Sequence, residues 1–254
     1  MDTIGYEHKE ESPVSIHKLI LKNHITFLES HRGKVKHIDG SIAIASEREE
    51  FTLVICNESE LSINLLTQYR KFFLPPWCSR SEPDLVDFGF REKGALIYMV
   101  RNHEAPLTID NPSVKVHVVS TREEMNIFSD VQCRGFENEG EEYNKWFPFL
   151  RDANLQNLDN PEQQFLLAYI DGKPAGTTLL VHDGFTAGIY AVATLRNFRN
   201  RGISSCLLNH VISGMKRKKG EEILTLQVFE NSYAEKLYRK LGFSDSFRMR
   251  IFLK

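Results

Sequence analysis

The 254-residue chain lacks several features that would narrow its role at once. Its four cysteines, Cys56, Cys78, Cys133 and Cys206, stand singly, with no Cys-x-x-Cys pair and no histidine partner at zinc spacing. They read as reduced thiols in or near the core. No apolar run approaches the roughly 18 residues of a membrane helix, and the opening MDTIGYEHKEESPVS has no apolar signal segment. A cytoplasmic, reducing location is expected, with no membrane partner. Charge of one sign is not in excess either: 32 Lys and Arg face 34 Asp and Glu, a net of −2, so a nucleic-acid partner is not expected. Glycine and proline are sparse at 15 and 9, and the remainder, 41% hydrophobic and 26% charged, is that of an ordinary globular chain. At roughly 150 residues per domain, one or two domains fit this length.

Turn residues cluster in HEAPLTIDNPSV, around Asn111 and Pro112, and divide the chain into residues 1–112 and 113–254. In the first part VKHI and SIAI flank Asp39-Gly40, a two-residue hairpin signature, and FTLVIC (51–56) reads as a strand. Asn57, three residues before Glu60, predicts a helix start, with Leu61, Leu65, Tyr69, Phe72 and Phe73 as its stripe and Pro75-Pro76 as its end. In the second part strands are expected at 114–120, 164–170, 177–182, 185–194, 223–229 and 247–253. A helix starts near Thr121, and 146–158 is ambiguous between helix and loop. Two amphipathic helices follow, one carrying Ile203, Leu207, Val211 and Met215, the other Ala234, Leu237, Tyr238 and Leu241. Interleaved strands and helices predict an α/β (α+β) fold with helices packed on a mixed sheet.

The segment from Val192 to Ser205 joins a strand to a helix and carries most of the chemical information. First-turn amides of a helix have no intrahelical acceptor, and the helix dipole adds positive charge there, so the turn attracts phosphate oxygens. Gly202 removes a Cβ from the approach, Ser204 and Ser205 are small, and Arg199 and Arg201 add charge. From Arg196 to Lys219 there are seven basic residues and no acidic one, although Lys216 to Lys219 also suit the negative end of their own helix. The Gly-Lys-Ser/Thr of a Walker loop is absent.

Arg199-x-x-Gly202-x-Ser204 resembles the Arg/Gln-x-x-Gly-x-Gly/Ala pyrophosphate loop of the GCN5-related N-acetyltransferase (GNAT) superfamily. Val192-Ala193-Thr194, Asn231 to Tyr238, and Leu241-Gly242-Phe243 follow the same order of features. The resemblance covers about 113–254 and is most specific over 190–243; Ser204 stands where the family prefers Gly or Ala. It implies a largely antiparallel GNAT sheet splayed at a cleft for acetyl-CoA. Val192, Ala193 and Thr194 would edge the pantetheine, and the amides of Asn200, Arg201, Gly202, Ile203, Ser204 and Ser205 would hold the pyrophosphate. Tyr238 would be the general acid that protonates the departing sulfur, a role that suits a phenol because it is protonated at neutral pH. Asn231 is a helix N-cap or a contact to pantetheine, or both.

The implied activity is acetyl transfer to an amine by direct attack in a ternary complex, the acceptor being a small molecule or a protein amino group. The alternative is a non-catalytic CoA-binding or protein-interaction module on the same fold. No base is nominated among Glu137, Glu139, Glu141, Glu142, His117 and His182. Phe88-Gly89-Phe90 followed by an apolar strand echoes Leu241-Gly242-Phe243 followed by another. Residues 1–112 thus resemble a degenerate GNAT-like unit without its own cofactor loop.

Overall fold

The computed structural model describes residues 15–57, 60–101, 105, 111–215 and 223–254. The Lys216 to Lys219 run and most of the 103–110 turn cluster lie outside them. Strands β1 (Lys34–Ile38), β2 (Ser41–Ala45), β3 (Leu53–Ile55), β4 (Lys71–Leu74) and β5 (Arg91–Arg101) belong to the first part. Strands β6 (Val114–Val118), β7 (Gln163–Ile170), β8 (Lys173–His182), β9 (Thr186–Thr194), β10 (Ile223–Phe229) and β11 (Phe243–Leu253) belong to the second. All eleven form one sheet in the order β1-β2-β3-β4-β11-β5-β10-β9-β8-β7-β6. Only β3–β4 and β9–β10 pair parallel; every other pair is antiparallel.

The helices are α1 (Ile16–His31), α2 (Ile63–Gln68), α3 (Glu82–Asp87), α4 (Arg122–Gly135), α5 (Gly140–Gln156), α6 (Ile203–Met215) and α7 (Tyr233–Lys240). Strand alternation sorts the core of the second part onto two faces. Leu166, Ala168, Leu180, Ile189 and Leu226 cluster with Leu207, Val211 and Tyr238 of α6 and α7. Phe165, Leu167, Leu179, Val181 and Tyr190 cluster with Ile20 and Phe27 of α1 and with Met125 and Phe128 of α4. Thr121 closes a capping box with Glu124, which starts α4 where the sequence predicts it.

Three local expectations change. The helix expected from Asn57 to Phe73 shrinks to α2, capped by Ser62, whose hydroxyl accepts from the Leu65 amide at 3.3 Å. Phe72 and Phe73 instead form β4, paired parallel with Val54 and Ile55 and antiparallel with β11, because aromatic residues in a strand flanked on both sides gain more from cross-strand packing than from a helical stripe. Helix α1 is not among the expected elements: three of its seven buried residues, Asn23, His24 and His31, are polar and interrupt the apolar stripe of Ile20, Leu21, Phe27 and Leu28. The ambiguous 146–158 region is mostly the end of α5, which accommodates Pro148 internally.

The two parts repeat one pattern. A hairpin (β2–β3), a parallel partner (β4), a short helix (α3), a glycine at positive φ (Gly89, +89°) and a long last strand (β5) recur as β8–β9, β10, α7, Gly242 (+83°) and β11. The last strands are exchanged. β5 lies between β10 and β11, and β11 lies between β5 and β4, so each part completes the other's sheet.

Residues 113–254 expressed alone would lose β5 and leave facing edges of β10 and β11 unpaired. They should aggregate or show no cooperative thermal transition by circular dichroism; a monomeric fragment that melts cooperatively would contradict this. A second expectation concerns His24 and His31, which are buried and held to a pKa of about 3, chiefly by desolvation and further by Arg32. In the unfolded chain they bind protons below about pH 6.5. Their contribution to stability is therefore complete above that value and declines as pH falls from 6.5 toward 3. The urea midpoint should drop between pH 7.5 and 5, by less in the His31→Gln variant.

Candidate active site

Strands β9 and β10 are paired from Thr186 with Ile223 to Ile189 with Leu226, and there the ladder stops. Yet β9 continues to Thr194 and β10 to Phe229, so the edge of β9 that faces β10 has no strand partner from Tyr190 onward. On its other edge β9 carries a bulge. Tyr190 pairs with Leu179 and Ala193 with Thr177, leaving Ala191 and Val192 opposite Thr178 alone. Ala191 takes a left-handed φ of 50°, which costs an L-residue about 1–2 kcal/mol, and the Thr177 hydroxyl donates to its carbonyl at 2.9 Å. Val192, Ala193 and Thr194 therefore re-aim their backbone at the mouth of a V-shaped cleft.

Two glycines bring helices against this bulge. A Cβ on Gly135, at the end of α4, would lie 2.7 Å from the Ala193 Cβ, and one on Gly176 would lie 2.6 Å from the Ile203 Cγ2 and 2.9 Å from the Ala193 carbonyl oxygen. Helix α6 can thus start directly beside β9. The Ser204 hydroxyl hydrogen-bonds that of Thr194 at 2.8 Å, which accommodates Ser204 where a smaller residue is expected. Asn200 and Gly202 have left-handed φ of 61° and 76°, and a Cβ on Gly202 would meet only the Asn111 Cβ, at 3.7 Å. Gly202 has no side chain with which to cap α6. Among the described residues no backbone group accepts from the amides of Ile203, Ser204 or Ser205, so the first turn is open to an anion.

The arginines are placed differently from the simple expectation that both add free charge to the loop. Arg199 reaches back to Glu137 at 2.5 Å, to the Gly135 carbonyl at 3.1 Å and to that of Thr194 at 3.4 Å. Arg201 pairs with Asp171 at 3.1 Å. Both pairs are solvent-exposed, and Arg199 holds the Glu137 carboxyl below its usual range. Asn200 accepts from the Tyr233 hydroxyl at 3.3 Å, which ties the loop to α7.

On α7, Tyr238 is 6% exposed, and burial pushes its phenol up to about 12, so it is protonated at any ordinary pH. It packs in the core cluster that holds Leu226, Val228 and Ile203 and lies edge-on to Phe243. No described residue hydrogen-bonds its hydroxyl. The N-cap of α7 is Ser232, not Asn231; Asn231 sits one residue earlier at φ 62°, its amide donating to Glu235 at 2.8 Å. Its carboxamide is therefore not needed to cap the helix.

The corresponding place in the first part is closed. Strands β3 and β4 stay paired to the end of β3, and the Cys56 amide continues the ladder to the Phe73 carbonyl at 2.9 Å. The segment before α2 has no glycine. Two of the amides there are taken by the protein's own side chains, Leu61 by Asp84 at 3.2 Å and Leu65 by Ser62 at 3.3 Å.

Residues 126–243, which contain the bulge, the open first turn and Tyr238, match the sequence model of the Acetyltransferase (GNAT) family. The chain carries a GNAT-family domain. No curated protein matches it in sequence. Its fold is similar to that of a GCN5-related N-acetyltransferase from Kribbella flavida, with a TM-score of 0.69 at 14% identity over 95% of this chain and 96% of that one. It is similar also to a GCN5-related N-acetyltransferase from Sphaerobacter thermophilus, at 0.63 and 18% over 85% and 76%. A tandem GNAT protein from the clavulanic acid biosynthesis pathway aligns at 0.54 and 10% over 84% and 78%. The predicted mixed α/β GNAT sheet is thereby confirmed.

Within this GNAT domain the cleft brings together Val192 to Thr194 and Asn200 to Ser205, with Tyr238 on the adjacent helix. Sequence reasoning did not find Gly135, Gly176 or the Ala191 bulge. GIYAVAT reads as an uninterrupted strand, and an alanine at positive φ leaves no compositional mark. Gly176→Ala should lower stability by about 1–3 kcal/mol in urea unfolding, since the new methyl meets backbone as well as Ile203. An unchanged midpoint would show that α6 does not press on β8 this closely.

Proposed function

We propose that the protein is an acetyl-CoA-dependent N-acetyltransferase that transfers the acetyl group to an amine by direct attack in a ternary complex. The observation that carries this reading is the open cleft: β9 leaves β10 at Ile189 and Leu226 beside a helix start with unclaimed amides, whereas in the first part β3 and β4 stay paired and the Ser62 side chain caps α2. The residues present fit the donor. Amides from Asn200 to Ser205 suit a pyrophosphate, the unpaired edge at Val192 to Thr194 suits the amide-bearing pantetheine arm, and Asn231 has a carboxamide to offer that arm. When bound, acetyl-CoA supplies an activated thioester.

The chain's own groups act on that thioester in three ways. Backbone N–H at the bulge stabilises negative charge developing on the carbonyl oxygen, at a position fixed before substrate arrives. Neighbouring walls hold the amine against the carbonyl carbon, so that the C–N bond forms as the C–S bond breaks. Tyr238 gives its phenolic proton to the departing sulfur, and the proton lost by the amine returns the tyrosinate to its neutral form, directly or through water. Residues 1–112 act as a degenerate GNAT-like unit without a cofactor of its own, its missing loop glycine and plugged α2 turn supporting that role.

Tyr238→Phe is expected to lower kcat by roughly 100-fold or more while leaving CoA affinity nearly unchanged. An unaltered kcat would remove Tyr238 from its role. Gly202→Glu places a carboxylate at the proposed phosphate site and should abolish CoA binding by isothermal calorimetry; full binding by that variant would overturn the loop assignment.

A further inference from the structure

Helix α1 of the first part lies across the fork where β9 and β10 separate. Asn23, fully buried, donates from its Nδ2 to the Val181 carbonyl at 3.0 Å and the Thr186 carbonyl at 3.2 Å, and its Oδ1 accepts from the Tyr190 hydroxyl at 2.7 Å. Tyr190 is the first residue of β9 beyond the last β10 pair, and the next residue, Ala191, is the strained one of the bulge. Across the fork Gln227 is the first residue of β10 beyond the same pair, and its side-chain amide approaches the Tyr190 hydroxyl. Gly188 makes the arrangement possible, because a Cβ there would lie 1.9 Å from the Asn23 Oδ1 and 2.5 Å from the Tyr190 ring. Phe27, one turn further along α1, stacks on Tyr190 with centroids 4.0 Å apart and planes within 8°.

We propose that Asn23 is a positioning residue for the second part's cleft: by holding the Tyr190 hydroxyl it fixes where β9 leaves β10 and keeps the Ala191–Val192 bulge in its working conformation. The first part is then a clamp on the GNAT domain's strand as well as a donor of β5. A left-handed alanine persists only where its surroundings over-determine it. Here Tyr190 is held from one side by Asn23 and Phe27, and Ala193 from the other by Gly135. Without the Asn23 carboxamide, the Tyr190 hydroxyl loses its acceptor and the Val181 and Thr186 carbonyls each lose a donor, Thr186 keeping the Asp183 amide at 3.1 Å, and the residue before the bulge is free to turn.

The consequence for turnover rests on the acetyltransferase reading; the consequence for the strand does not. In the full-length chain, Asn23→Ala and Tyr190→Phe should each speed amide hydrogen exchange of residues 190–194 by roughly tenfold or more, leaving 163–170 unchanged. The same variants should lose roughly 10- to 100-fold in kcat, with the acetyl-CoA KM within about threefold of wild type, because the misplaced group acts at the carbonyl and the pyrophosphate turn is untouched. Their effects on kcat should not multiply in the double variant, since one removes the partner of the other. Should Asn23→Ala not fold, Tyr190→Phe decides alone. Wild-type exchange at 190–194 in a folded variant, or an equal acceleration across the whole sheet, overturns the proposal. Local acceleration in a protein that never consumes acetyl-CoA sustains the positioning role and refutes the enzymatic reading.

Discussion

A parallel strand pair that comes apart part-way leaves backbone N–H and C=O groups with nothing to bond, and this constraint organises the molecule. Between Ile189 with Leu226 and the ends of β9 and β10, the ladder is absent on one edge of each strand. Buried backbone groups are almost always paired, and leaving one unpaired costs about 1–3 kcal/mol. Such a fork persists only if water or a ligand reaches it and if something keeps the strands from closing. The bulge, Gly135, Gly176 and the Asn23–Tyr190 bond all belong to that second requirement. They are concentrated in the few residues on either side of the fork.

The comparison between the two parts turns this from description into argument. The same order of strands and short helices appears twice, with the glycine before the last strand at positive φ in both. In one copy the parallel pair is closed, the intervening helix runs only from Ile63 to Gln68, and Asp84 and Ser62 take the amides of Leu61 and Leu65. In the other the pair is open and the helix extends from Ile203 to Met215, with a side-chain-free residue before it. One architecture can thus be complete as a sheet and still lack a site. The exchange of β5 and β11 explains why the closed copy is retained structurally: without it the open copy has no strand to lie between β10 and β11.

How much of this was legible in the sequence depends on whether the determining interaction is local. The Asp39-Gly40 hairpin, the Thr121 capping box and the α6 stripe are short-range features, and they fall where residue patterns place them. The loop Arg199-x-x-Gly202-x-Ser204 was visible because glycine and small residues at a strand-to-helix junction are themselves the signal. Strand β4 was not legible, because Tyr69, Phe72 and Phe73 fit a helical stripe and are decided by pairing with β3 and β11. Asn23 was hidden for the same reason: its partners Val181, Thr186 and Tyr190 are more than 150 residues away along the chain. The strand exchange has no local signature at all.

The charges around the loop follow a related logic. Arg199 and Arg201 are held by Glu137 and Asp171, acidic residues from other loops, although the sequence presents them as a basic run. Exposed ion pairs contribute about 0–1 kcal/mol, so either guanidinium can leave its carboxylate at little cost when a more highly charged phosphate is near. Until then the pairs serve another purpose: Arg199, bonded to the Gly135 and Thr194 carbonyls as well as to Glu137, joins the end of α4 to the end of β9. On the proposed reading, a pyrophosphate at this turn would depend on peptide amides for fixed geometry and on the arginines for adjustable charge. That division accords with a loop in which the side chain at position 204 can change from the small residue of the family to serine, since the amide that would touch phosphate is the same in either case.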